Sequence, residues 1–134
     1  DNLTTTVNGV ESDFAGQVGR GGGVPKWRGS LSTRYSIDQF SFGVLARYVD
    51  SGTYQNDYIE GIDIDDNSIP SRTYIDVDAS MKVAENFEFY GKINNFFNVD
   101  PPLAPLPITS PSYNGSPFHD TIGRYFKVGV RFKF

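Results

Sequence analysis

Several groups of side chains in this sequence have types and spacings that would suit chemistry. Asp63-Ile64-Asp65-Asp66-Asn67 sets Asp, Asp and Asn at alternate positions, as the first half of a calcium loop does with its oxygen ligands. Such a loop continues with Gly at its sixth position and a bidentate Glu at its twelfth; here Ser68 and Tyr74 stand there, so the run reads as a solvated acidic loop. His119, the one histidine, lies beside Asp120 with no second ligand in the pattern. That makes a poor metal site and a poor catalyst, and suits a surface or ligand-contact role. Gly19, Gly21, Gly22 and Gly23 lack the Lys-Ser/Thr of a phosphate loop, and a flexible outer loop accounts for them. Tyr54, Tyr58, Tyr113 and Phe118 fall, like His119, in long connecting segments, where aromatic rings can stack on sugars or other ring-bearing ligands.

None of these groups assembles a reaction. Cysteine is absent, which removes thiol nucleophiles, thiolate metal sites and any disulfide framework. Net charge is −4, with 12 basic residues scattered among 16 acidic ones, and a nucleic-acid footprint needs a basic stripe instead. The expectation is a protein that is not an enzyme, with no cofactor, no metal and no nucleic-acid partner.

The remaining charges have a spacing of their own, and it identifies the elements that hold them. Period-2 alternation runs through residues 27–37, 40–48, 73–83, 87–97 and 125–134. Arg28, Arg34, Arg47, Asp76, Asp78, Lys82, Glu88, Lys92, Lys127, Arg131 and Lys133 are all the charges in these segments, and every one opposes the apolar face of its strand. Five strands with one apolar and one charged face also describe a soluble sandwich. The connections separate the two. Asp38-Gln39 and Ala84-Glu85-Asn86 are tiny, whereas residues 9–26, 49–72 and 98–124 form long links, so short and long alternate. Transmembrane barrels sort their links this way, with short periplasmic turns and long extracellular loops. Segments of nine to eleven residues also match the roughly 9 to 11 that a tilted strand needs to cross the hydrocarbon layer.

The fold expected is therefore all-β: an antiparallel transmembrane β-barrel segment of five to six strands, the sixth being a fragment at residues 3–7. No run approaches the roughly 20 apolar residues of a membrane helix, and an aromatic share of 15% suits strands and membrane interfaces. Five or six strands cannot close a barrel, so the missing ones are expected from upstream sequence or another chain. Asp1-Asn2-Leu3 enters mid-pattern, which places any targeting signal upstream or already removed.

Several stretches carry a family likeness in their order and spacing. They are Pro25-Lys26-Trp27-Arg28-Gly29 with Leu31 and Tyr35, Phe42-Gly43 through Arg47-Tyr48, Tyr74-Ile75-Asp76-Val77, Asn94-Asn95-Phe96-Phe97-Asn98-Val99-Asp100-Pro101-Pro102, Gly123-Arg124-Tyr125-Phe126, and Arg131-Phe132-Lys133-Phe134. Across most of the chain this resembles the carboxyl-terminal part of the barrel of TonB-dependent outer-membrane receptors. The resemblance implies a 22-stranded barrel in the bacterial outer membrane, filled by a plug domain and importing a scarce nutrient with energy passed through TonB. Its plug, its TonB-contacting segment and its other strands would lie upstream of Asp1. Arg28, Arg34, Arg47, Asp76, Asp78, Lys82, Lys92 and Lys127 would then face the lumen, where plug packing and solvation compete with substrate contact. Phe126, Val128, Val130, Phe132 and Phe134 would face lipid, the last Phe being read by the barrel-insertion machinery. The cargo is a small molecule such as a ferric siderophore, an oligosaccharide or another organic solute. Two other readings stand beside it, a passive porin or adhesin barrel without a plug and a soluble all-β binding module.

Overall fold

A computed structural model describes residues 4–7, 10–19, 23–104 and 117–133. Among them are nine strands and no helix: β1 (Thr4–Val7), β2 (Val10–Asp13), β3 (Arg28–Ile37), β4 (Phe40–Val49), β5 (Gly52–Thr53), β6 (Ser68–Ile69), β7 (Arg72–Ala84), β8 (Phe87–Asn94) and β9 (Tyr125–Phe132). The chain divides into two units. One takes residues 29–48, 73–100 and 122–134; the other takes residues 1–28, 49–72 and 101–121.

The first unit is built on a five-stranded sheet of order β3-β4-β7-β8-β9, in which the strands of each short link are neighbours. The sheet does not close. β7, β8 and β9 pair antiparallel, and their register puts each strand's faces together. Val77, Ala79 and Met81 lie against Ile93, Gly91 and Phe89, which lie against Phe126, Val128 and Val130. On the other side Asp78, Ser80 and Lys82 meet Lys92, Tyr90 and Glu88, and these meet Lys127, Gly129 and Arg131. The ladder slips once, between Lys82 and Ala84, beside the short turn. Asp38, in the other short turn, takes φ 49°, a left-handed conformation that Asp tolerates better than most residues. The Gln39 carbonyl accepts the Lys82 amide at 2.8 Å, tying that turn to β7.

Four of the five sequence-derived segments become strands within two residues of their expected bounds. β8 stops three residues early, at Asn94. Asn95 turns the chain out of the ladder at φ 49°, and its side chain closes the bend by accepting the Val99 amide at 2.8 Å and donating to the Val99 carbonyl at 2.9 Å. Phe134 lies outside the described residues.

Burial in this sheet is inverted relative to a soluble protein. Its apolar face is bare, with Leu31 75% exposed, Phe126 66% and Val128 87%. The buried side chains include Tyr74, Asp76 and Asn94, which project from the charged side, and Asn95 follows them at the strand end. Aromatic rings mark both ends of the bare face. Phe87 stacks on Phe132 at 4.8 Å and meets Phe89 edge-on at the short-turn end. Tyr48 stands at the other end, where the exposed Phe96 and Phe97 follow the end of β8, while the middle row of β7, β8 and β9 is Ala79, Gly91 and Val128.

The second unit gathers the long links and carries strands of its own. β1 pairs with β2, and β5 with β6, both antiparallel. Val18, Tyr54, Ile69 and Ala104 form a buried core, against which Tyr58, Ile64 and Phe118 pack. Two of the glycines read as flexible are packed: a Cβ on Gly19 would strike the Tyr54 backbone, and one on Gly23 would strike the Gln17 carbonyl oxygen.

Candidate functional site

The charged face of the five-stranded sheet gathers most of the polar residues singled out in the sequence, and its geometry follows from the strand register. Arg34 on β3 reaches Asp78 on β7 at 2.8 Å, across the intervening β4. It can do so because β4 presents Gly43 at that point, where a Cβ would stand 2.4 Å from the Asp78 carboxylate. An ion pair thus spans two strand spacings, about 10 Å of sheet.

Nearer the long-loop end, Asp76 is buried and fully engaged. Its Oδ1 accepts from Arg47 Nη2 at 3.0 Å and from the Asn95 backbone amide at 3.0 Å, and its Oδ2 accepts from Asn94 Nδ2 at 3.3 Å. The Arg47 guanidinium also lies over the Tyr74 ring, 5.3 Å from its centroid. A buried carboxylate is tolerable only with such donors around it, and here one acceptor joins β4, β7 and the exit of β8. The exit bend is held further along. Asn98, at φ 54°, accepts the Arg124 amide at 3.0 Å through Oδ1, and the Phe96 amide donates to the Ile75 carbonyl at 2.7 Å. The Asn-Asn-Phe-Phe-Asn stretch is therefore a joint between β7, β8 and the entry to β9.

Towards the short turns, Arg131 pairs with Glu88 at 2.7 Å and stands 5.5 Å from the Tyr90 ring. The Tyr90 ring lies over Gly129, its register partner, where a Cβ would meet the hydroxyl at 2.5 Å. Lys92 faces Asp78 on one side and Lys127 on the other, and Lys127 Nζ lies 5.4 Å from the Tyr125 ring. Lys82 is opposite Glu88. Of the expected luminal residues, Arg34 with Asp78, Arg47 with Asp76, and Lys82, Lys92 and Lys127 come together on one face. Arg28 is exposed at the start of β3 and belongs to the other unit.

Sequence reasoning named neither Asn94 and Asn95 as partners of Asp76 nor Glu88 with Arg131 as a pair. The strand phase puts Glu88 and Arg131 on the charged face, but only register shows that they meet. Asn95 gave a local signal, since Asn after a strand commonly takes the left-handed conformation.

The aromatic residues expected to contact ligand stand elsewhere. Tyr54 is 6% exposed in the core of the second unit, its ring 5.9 Å from that of Tyr58, and Phe118 packs on the same core. His119 is buried as well, and burial, then the charge of Arg72, holds its imidazole below its ordinary pKa. Tyr113 lies outside the described residues. In the acidic run the oxygens serve the loop. Asp63 accepts the Ile59 amide at 2.9 Å, Asp66 accepts the Ser68 hydroxyl and amide at 2.6 and 2.8 Å, and Asn67 bonds Gln55 through both side-chain atoms. The Ser68 hydroxyl, then its amide, lowers the Asp66 pKa. No group of three metal-ligating side chains forms among the described residues.

Comparison with the models of known protein families, with curated proteins and with solved structures finds no match.

Proposed function

We propose that this chain is part of the wall of a TonB-dependent receptor in the bacterial outer membrane, binding and importing a small nutrient. The inverted burial of the five-stranded sheet carries the proposal. Its bare side holds the aromatic and aliphatic residues, and its charged side holds the ion pairs and the buried Asp76. In water, exposing Leu31, Phe42, Phe126 and Val128 forfeits about 25 cal/mol for each Å² of apolar area left wet. Against hydrocarbon the same face is at no disadvantage. Rings at both ends of that face suit the two headgroup zones. Long and short links on opposite ends, and the Asn95 to Asn98 joint in the stretch that resembles the family, agree with this assignment.

Fractionation of cells expressing the whole protein tests the location. The chain is expected in the outer membrane and released only by detergent; a monomeric, cooperatively folding protein recovered in aqueous buffer would refute it. Import is tested by growth of a deletion strain on siderophores, oligosaccharides and other scarce solutes as sole sources. Loss of uptake for one class is the expected result, and unchanged growth on all of them counts against a receptor.

A further inference from the structure

Charge on the polar face is unbalanced in a specific place. One row across the strands contains Arg34, Asp78, Lys92 and Lys127, with Gly43 beneath the first pair. Its single carboxylate already accepts from Arg34 at 2.8 Å while facing Lys92. Lys127 therefore stands directly opposite a second lysine across the β8–β9 ladder. A parallel row is Lys82, Glu88 and Arg131, and its carboxylate is taken by Arg131 at 2.7 Å. Five cations thus meet two carboxylates, and both carboxylates are committed. Like charges directly opposed weaken a ladder.

We propose that Lys92 and Lys127 form a binding point for the carboxylate or phosphate group of a small anionic solute. Directly opposed side chains leave their strands about 5 Å apart, so two ammonium groups can converge on one oxyanion, each donating a charge-assisted hydrogen bond. The flanking surface suits a compact ligand. Along β8 the adjacent positions on this face are Tyr90 and Asn94, and along β9 they are Gly129 and Tyr125, all uncharged. An acidic polypeptide lying along the strands would meet its next cation at Arg131, which Glu88 holds. The Tyr90 ring, spread over Gly129, offers a flat wall beside the pair for the rest of the solute. The inference deepens the import reading by naming an anionic substrate class, and rests on that reading for its setting. Binding itself can be measured apart from import.

Thermal unfolding of the whole protein in detergent is followed with inorganic phosphate and separately with succinate, each against sodium chloride at equal ionic strength. At least one oxyanion should raise the unfolding temperature saturably beyond chloride. Lys92→Gln and Lys127→Gln should each weaken that response by roughly tenfold, the worth of one charge-assisted hydrogen bond. Lys127→Gln should also raise the unfolding temperature without anion, because its repulsion with Lys92 is gone, whereas Lys92→Gln also loses the attraction of Asp78 and Asp76; a Lys127 variant that merely damaged the fold would lower it. Lys133→Gln should leave the response intact. Chloride acting as well as both oxyanions, or a response surviving both substitutions, would overturn the proposal. The two readings fail separately. An anion response in a protein located outside the outer membrane removes import and leaves the site, whereas an outer-membrane protein without the response removes the site alone.

Discussion

Replacing Asp76 with Ala takes one acceptor away from three donors, Arg47, the Asn95 amide and Asn94, in a place sheltered from water. A loss of about 2–4 kcal/mol is expected, most of it from the guanidinium left near an empty position, and denaturant unfolding in detergent measures it. Asp76→Asn should recover part of that, since its amide oxygen still accepts. His119 gives a pH prediction. Its folded-state pKa lies below the ordinary 6.5, so the unfolded chain binds the proton more readily. The stabilisation is fully present above about pH 6.5 and is lost as pH falls through the folded value. Protease resistance of the loop unit should therefore drop on acidification, and His119→Gln should flatten that dependence. At this scale the sequence tells which side of a strand a charge occupies. It does not tell that Asp76 is buried or that Arg34 reaches across Gly43, because both depend on which residues of distant strands lie side by side.

Strands were the most legible elements. Period 2 placed β3, β4, β7 and β9 within two residues, and only β8 was overextended, because Asn95 to Phe97 keep an apolar rhythm after the backbone has already turned. The loop unit was not legible. Val18, Tyr54, Ile69 and Ala104 come from three separate segments with no shared period, so nothing local announced that they form a core or that Tyr54 serves it. The bare face of β9 gives the sharpest prediction for an element. Val128, 87% exposed, sits in the middle row, so if that row meets hydrocarbon as proposed, Val128→Lys should cost about 2–4 kcal/mol in a bilayer. In a soluble protein an exposed Val→Lys change would stay within about 0.5 kcal/mol. Reversible unfolding in lipid vesicles distinguishes these outcomes.

For the whole molecule, β3 and β9 stand at the two ends of the sheet order, each with one side not paired within it. In the proposed wall both sides continue into neighbouring strands. Amide hydrogen exchange along β3 and β9 in membrane-embedded protein should then be as slow as along β7; rapid exchange at either strand would mean that the sheet ends there. The placing of Tyr90 over Gly129 bears on how such a wall could close. Sliding β9 by two residues would keep every apolar side chain facing outward and every charge inward, so the alternating pattern alone cannot choose between alignments. Gly129 chooses. On the charged side of β9 it is the one position without a side chain, and any two-residue slide would push Tyr90 onto Lys127 or Arg131. In a closed cylinder the stagger between strands fixes tilt and diameter. In such a cylinder a single missing methyl group would act as a gauge, fixing the stagger of β8 against β9 that the rest of the ring would have to match.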